Sequence, residues 1–279
     1  MTATLSPQEF EQLRAFIEKT CGILVGKEKA YLIESRLSSM LPETGCETYG
    51  ELYNKLKNGA DPNLLDKIVD RMTTNETLWF RDNHPFRIFE EVLLPQYAQE
   101  AAAGKRFRIR LWSSASSTGQ EPYSLAMVFL EAQAKNPALK KIKLEIIASD
   151  ISTTALRIAM MGRYDSISIN RGLPVNYRNK YFKAEGRVHV LSDEVKKMVT
   201  LKKMNLQKDF SSLGKFDIIF CRNVAIYFSD EFKKDLFARF KRSLNPSGYF
   251  FLGASESLSA YSQEYEMLEH MRGIYYRLK

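Results

Sequence analysis

The chain has 279 residues, long enough for one large α/β domain or a small domain joined to a larger one, and its 44% hydrophobic and 27% charged residues are those of a globular protein. No apolar run approaches the roughly 18 residues of a membrane span, and the polar start MTATLSPQEF has no basic-then-apolar signal pattern. Cys21, Cys46 and Cys221 are odd in number and, like His84, His189 and His270, lack metal-type spacing, so neither a disulfide framework nor a metal site is expected and the expected compartment is the cytoplasm.

The net charge of +8 raises the question of nucleic acid, but the excess is local: the first 80 residues are net acidic, whereas residues 166–204 hold 9 Lys/Arg against 3 Asp/Glu. A stretch of this kind is a solvated face or a docking surface for an acidic partner, and no nucleic-acid ligand is expected.

In chain order, SPQE at 6–9 predicts a helix start: Ser6 as N-cap, Pro7 in the first turn and Glu9 closing a capping box, with Phe10, Leu13 and Ile17 at helical spacing. KEKAYLIESRLSSML carries Ala30, Ile33, Leu37 and Leu41 on one stripe, and DPNLLDKIVDRM repeats the cap with Asp61 and is expected to bury Leu65, Ile68 and Met72. Residues 1–75 therefore read as a helical domain without strands. TTNETLWFRD at 73–82 is no plain linker, because a linker would favour Gly, Ser and Pro over Trp79 and Phe80.

After a further helix around Phe86–Gln99 the period changes. RFRIRLW alternates, and KLEIIASD, FDIIFC and GYFFLG are short Ile- and Phe-rich runs, each separated from the next by enough chain for a helix. That spacing predicts a mostly parallel sheet with helices on both faces, in which ligands bind at the carboxyl ends of the strands.

Three polar clusters fall at such ends. SSASSTGQEPYS puts Gly119 and Glu121 in a turn after RIRLW; a single Gly is not G-x-G-x-x-G, so it is either a tight strand-to-helix turn or the edge of a cofactor cleft. Asp150 ends IIASD, where a carboxylate accepts from a ribose diol or caps the following helix, a job Ser152 could also fill. A nucleoside site without a phosphate cradle points to S-adenosylmethionine rather than NAD. In FCRNVAIYF, Arg222 and Asn223 interrupt an apolar run, which is costly unless they pair, while Cys221 reads as a core residue and Tyr227 as either a packed or a site tyrosine.

Taken together, TTNETLWFRD, LWSSASSTGQEPYSLAM, IIASDI, MNL, FDIIFCRNVAIYF and GYFFLGASESL look like the chemotaxis receptor glutamate methyltransferases. The resemblance covers nearly the whole chain and implies a Rossmann-like class I methyltransferase domain at 76–279, preceded by the helical domain at 1–75 and carrying a small basic strand subdomain at 166–204. It implies S-adenosylmethionine as methyl donor, S-adenosylhomocysteine as product, and glutamates on the cytoplasmic helices of chemoreceptors as acceptors. Matched residue by residue, the donor contacts fall on Asn75, Thr77, Arg81, Glu121, Asp150, Asn205, Leu206, Arg222 and Asn223, with Trp79 and Phe80 as the packed floor of the site; the catalytic candidates are Arg81, to anchor the donor's carboxylate or orient the acceptor glutamate, and Tyr227, to complete the pocket by hydrogen bonding. A monomer without membrane insertion is expected. Two features depart from the family pattern: Gln120 stands where a first acid is common, and Lys27, Lys29 and Arg36 on the second helix are mixed with Glu28 and Glu34. The KAEGRVHVL hairpin also looks shorter than in members that clamp a receptor peptide. A small-molecule or RNA methyltransferase is disfavoured, because those acceptors need a proton taken and no histidine lies in the three clusters; a non-catalytic sensory module holding the same cofactor is the alternative.

Overall fold

The structure, a computed structural model, describes residues 3–59 and 61–279. Helices Pro7–Cys21, Ala30–Leu37, Met40–Thr44, Tyr49–Lys57 and Pro62–Met72 enclose a core of their own built on Leu13, Ile17, Ile33, Leu37, Tyr49, Leu52 and Ile68. Ser6 and Glu9 form the expected reciprocal capping box, and Asp61 caps the last of these helices through the Asn63 N–H at 2.8 Å. The KEKAYLIESRLSSML stretch is broken into a 3-10 turn at Lys27–Lys29 and two short helices rather than one. The last helix is turned one position from expectation: Leu64, Ile68, Val69 and Met72 face the core while Leu65 is 40% exposed.

The larger part is a seven-stranded sheet. Its strands are β1 (Arg108–Ser113), β2 (Lys143–Asp150), β6 (Val199–Lys203), β7 (Phe216–Phe220), β8 (Leu244–Phe251), β9 (Tyr265–His270) and β10 (Gly273–Leu278). The order is β6-β2-β1-β7-β8-β10-β9, parallel throughout except for β10, which runs antiparallel between β8 and β9. Leu111 at the centre pairs with Ile146 on one side and Ile218 on the other. Helices cover both faces, so a central strand such as β7 is buried at every residue and, apart from Asp217, which pairs with Arg106, is apolar throughout instead of alternating. Two cores result, one around Ile109, Leu111, Phe129 and Phe251 and the other around Trp112, Phe216, Phe240 and Phe250.

Between β2 and β6 the chain forms a second, antiparallel sheet from β3 (Arg163–Asp165), β4 (Phe182–Glu185) and β5 (Val188–Leu191), ordered β3-β5-β4. The 166–204 subdomain expectation is corrected at both ends. The small sheet starts at Arg163, and Val199–Lys203 belongs to the main sheet, paired parallel with β2. Nothing local marks VTLKK as a strand of the large sheet, because its pairing is non-local. The β9–β10 hairpin lies beyond the last strand expected from the sequence. It turns on Met271 and Arg272 at φ 47° and 65°, a left-handed pair normally filled by Asn and Gly, so no turn signal marked it.

Candidate active site

In the main sheet the order reverses at β1, and the carboxyl ends of β1, β2 and β7 open there into one cleft. Asn75, Thr77, Arg81, Glu121, Asp150, Asn205, Leu206, Arg222, Asn223 and Tyr227 all line it.

After β1, Gly119 at φ 97° starts the Gln120–Lys135 helix, and a Cβ there would sit 2.7 Å from the Tyr123 ring, so only glycine closes this turn. The helix therefore begins two residues before Pro122. Glu121 accepts from Ser113 Oγ and from Arg222 Nη1, each at 2.7 Å, whereas Gln120 is buried and accepts from Thr118. At the end of β2, Ser152 and not Asp150 caps the next helix, through the Ala155 N–H, and Asp150 accepts the Ser117 and Ser152 N–H groups at 2.8 Å, one on each oxygen. Burial pushes the Asp150 carboxyl above the ordinary range despite those backbone donors, and Asp70 pushes in the same direction.

After β7, Arg222 is the most buried charge of the site, with its side chain 1% exposed. It pairs with Glu121 and with Asp82, both at 2.7 Å, and donates to the Arg81 carbonyl at 2.8 Å, while its Nε has no hydrogen-bond partner among the described residues. This guanidinium pins a turn in which Phe80, Asp82 and Asn83 all have φ between 51° and 67°, a conformation that persists in non-glycine residues only when the surroundings hold it. Arg81 itself makes one hydrogen bond, to the Glu76 carbonyl at 3.2 Å, and no ion pair among the described residues. An unmatched cation thus faces the cleft.

Trp79 and Phe80 are not the floor of this cleft. Trp79 packs edge-on against Tyr164 and Phe182 at 5.0 and 5.2 Å, and Phe80 packs against Phe86 and Tyr177, so both rings fasten the connector to the inserted subdomain and leave its polar residues facing the cleft. Arg36 donates to the Met72 carbonyl and to Thr74 Oγ1, which ties it to the connector instead of presenting it outward. Of the basic residues of 166–204, Arg171, Lys180, Lys196 and Lys203 are paired with Glu76, Glu131, Asp193 and Asp66, so the patch is weaker than its count of charges.

Sequence reasoning missed three contributions. Cys21 and Ile23 of the helical domain line the cleft, brought there by the Leu24 N–H on the Tyr227 carbonyl at 2.8 Å and by Asn205 Nδ2 on the Thr20 carbonyl at 2.7 Å. Burial raises the Cys21 thiol to about 11, so it meets the cleft as a neutral apolar group. Asp82 and Glu256 are the others, through their bonds to Arg222 and to the backbone of Asn223.

A mostly parallel sheet with one antiparallel strand near its edge, a cleft at the switch point, a carboxylate ending the second strand and no phosphate-binding glycine loop define, with the matching family domain, a class I methyltransferase that uses S-adenosylmethionine. Residues 75–274 match the CheR methyltransferase, SAM binding domain, and residues 8–73 match the CheR methyltransferase, all-alpha domain. The chain belongs to the CheR methyltransferase family. It is 45% identical to chemotaxis protein methyltransferase 1 of Vibrio cholerae over 100% of both chains, and 42% identical to chemotaxis protein methyltransferase Cher2 of Pseudomonas putida over 97% of this chain and 98% of that one. It is likewise 42% identical to chemotaxis protein methyltransferase 1 of Pseudomonas aeruginosa, over 97% of this chain and 98% of that one. No described helix is long and apolar enough to cross a membrane.

Proposed function

We propose that this chain methylates glutamate side chains on the cytoplasmic helices of chemoreceptors, giving methyl esters, and that the cleft holds the donor. The observation that carries the reading is the convergence of all ten residues named above on one cleft, with the unpaired Arg81 among them. The chemotaxis protein methyltransferases among the relatives support the acceptor class. Asp150 retains lone pairs for a ribose diol, and Ile151, Met204, Leu206 and Phe228 offer an apolar wall for a purine. Asn75, Thr77, Asn205 and Asn223 complete the polar lining, and Glu121 and Arg222 act as a mutually neutralised pair.

When bound, the donor supplies an electrophilic methyl group. A glutamate carboxylate with a pKa of about 4.3 is already ionised at neutral pH, so no residue has to act as a base. The work left to the protein is alignment, which supplies several kcal/mol of a barrier (up to ~7–11 in the best-oriented cases). Arg81 holds a carboxylate through its planar fork and Tyr227 orients it.

The reading is tested by incubating the protein with methyl-labelled donor and receptor cytoplasmic fragments. Label released as methanol by mild alkali marks carboxyl esters, and alkali-stable label would overturn the assignment. Within that assay, Arg81→Lys should be nearly as inactive as Arg81→Ala, because an ammonium cannot replace a two-pronged contact. Tyr227→Phe should bind product normally and turn over more slowly at saturating receptor; wild-type turnover would return Tyr227 to a packing role.

Acid should weaken product binding. The folded Asp150 carboxyl titrates above its unfolded value of about 3.9, so its ionised form costs stability above the folded pKa, and that cost disappears as pH falls through it. Binding needs the ionised form and runs the other way. Product affinity measured by calorimetry should therefore decline at a higher pH than an ordinary aspartate allows, without a parallel loss of folding from this group. Affinity that stays flat down to the unfolding pH would exclude Asp150 as the acceptor.

A further inference from the structure

Glu256 lies in the loop after β8, outside the cleft lining, and makes no ion pair among the described residues. Its charge is met instead by backbone dipoles. Oε2 accepts the N–H groups of Asn223 and Gly253 at 2.6 and 2.8 Å, and Oε1 accepts those of Val224 and Ile226, both at 3.2 Å. Four convergent N–H groups of this kind form an anion-binding nest, here filled by the chain's own side chain.

The nest sits on the segment that carries Arg222, Asn223, Val224, Tyr227 and Phe228 to the cleft. Asn223 is held at φ 56°, a left-handed conformation that needs outside support in a residue with a side chain. The room is tight as well: a Cβ on Gly253 would fall 2.5 Å from Asn223 Nδ2 and 2.7 Å from Glu256 Oε2. The Tyr227 carbonyl of the same turn receives the Leu24 N–H of the helical domain, so the turn also sets where that domain meets the cleft.

We propose that Glu256 is a positioning residue for the donor site. Its carboxylate fixes the backbone of Asn223, Val224 and Ile226 and thereby the direction in which Asn223 and Tyr227 face the cleft. A neutral amide of the same size cannot do this, since its NH₂ would confront N–H donors and leave two of them unpaired. The inference rests on the cleft being the donor site.

The test is the affinity of S-adenosylhomocysteine by calorimetry for Glu256→Gln, Glu256→Asp and Gly253→Ala, each with a thermal melt. Glu256→Gln and Gly253→Ala should lose about tenfold or more in affinity while remaining folded, and Glu256→Asp, which keeps the charge but is shorter, should recover part of it. Leu139→Ala, a buried position in the other core, controls for general loss of stability: its melting point should drop with affinity kept within about twofold. Near wild-type affinity in Glu256→Gln overturns the proposal, as does an equal loss in Leu139→Ala. Asp150→Ala separates the two readings: binding lost there but kept in Glu256→Gln rejects positioning alone, whereas binding kept in both rejects the donor-site reading.

Discussion

Asp150→Ala is expected to abolish measurable donor and product binding while the protein stays folded. A carboxylate that accepts two ribose hydroxyls makes two charge-assisted hydrogen bonds, each worth about 1.5–3 kcal/mol, so the loss exceeds tenfold even at the low end. The structure adds a second cost: the Ser117 and Ser152 N–H groups lose the acceptor that holds the β1 and β2 loops together. Asp150→Asn isolates the two effects, because its remaining carbonyl oxygen satisfies one backbone donor but carries no charge. It should keep more of the melting temperature than the alanine variant and still bind weakly. Calorimetry showing unchanged product affinity in the alanine variant would remove Asp150 from the donor site.

Arg222→Ala should be the most destabilising single change in the site. It leaves Glu121 without its cation at a side chain only 12% exposed, and breaking a buried ion pair by removing one partner costs about 3–5 kcal/mol. It also releases Asp82 and the Arg81 carbonyl, so the left-handed turn at 80–83 loses its clamp and Arg81 loses its position. For a chain of this size the melting temperature should fall by on the order of 10 °C. Arg222→Lys should rescue little of this, since one ammonium cannot reach three acceptors in the plane a guanidinium spans. A double variant, Arg222→Met with Glu121→Gln, removes both charges and should recover much of the stability without recovering product binding. Wild-type melting in Arg222→Ala would show that the network is not a structural clamp.

The parts of this protein legible in the sequence are those written in short stretches. Caps at Ser6 and Asp61, the buried runs of β1, β2, β7 and β8, and the polar residues that follow three of those strands obey local rules of hydrogen bonding and periodicity. Parallel order follows from the spacing between the runs, and the site follows from the order, because side chains just past the strand ends converge at the switch point. Glu121, Asp150, Arg222 and Asn223 stand out on those grounds, whereas Asn75, Thr77, Arg81, Asn205 and Leu206 follow only from the family resemblance; all of them line the cleft.

What only the tertiary structure decided depends on partners far away in the chain. Val199–Lys203 becomes a strand because β2 offers it an edge, and the β9–β10 hairpin turns on residues that carry no turn signal. Leu64 replaces Leu65 in the core through a small rotation of one helix, a choice made by the neighbouring helices and not by periodicity. Trp79 faces the inserted sheet and Phe80 the neighbouring helix residue Tyr177, because that is where apolar surface was available, which frees the polar side of the same connector for the cleft. Cys21 and Ile23 reach the site only once the helical domain docks. The charges are the clearest case. The sequence shows that Arg222 must pair but not with what, and it marks no partner for Arg36 or Glu256; folding supplies Glu121 and Asp82, the Met72 carbonyl, and four backbone N–H groups. Motif residues could be located by local rules, but which of them touch a ligand and which hold the others in place is settled by what each must pair with when water is removed.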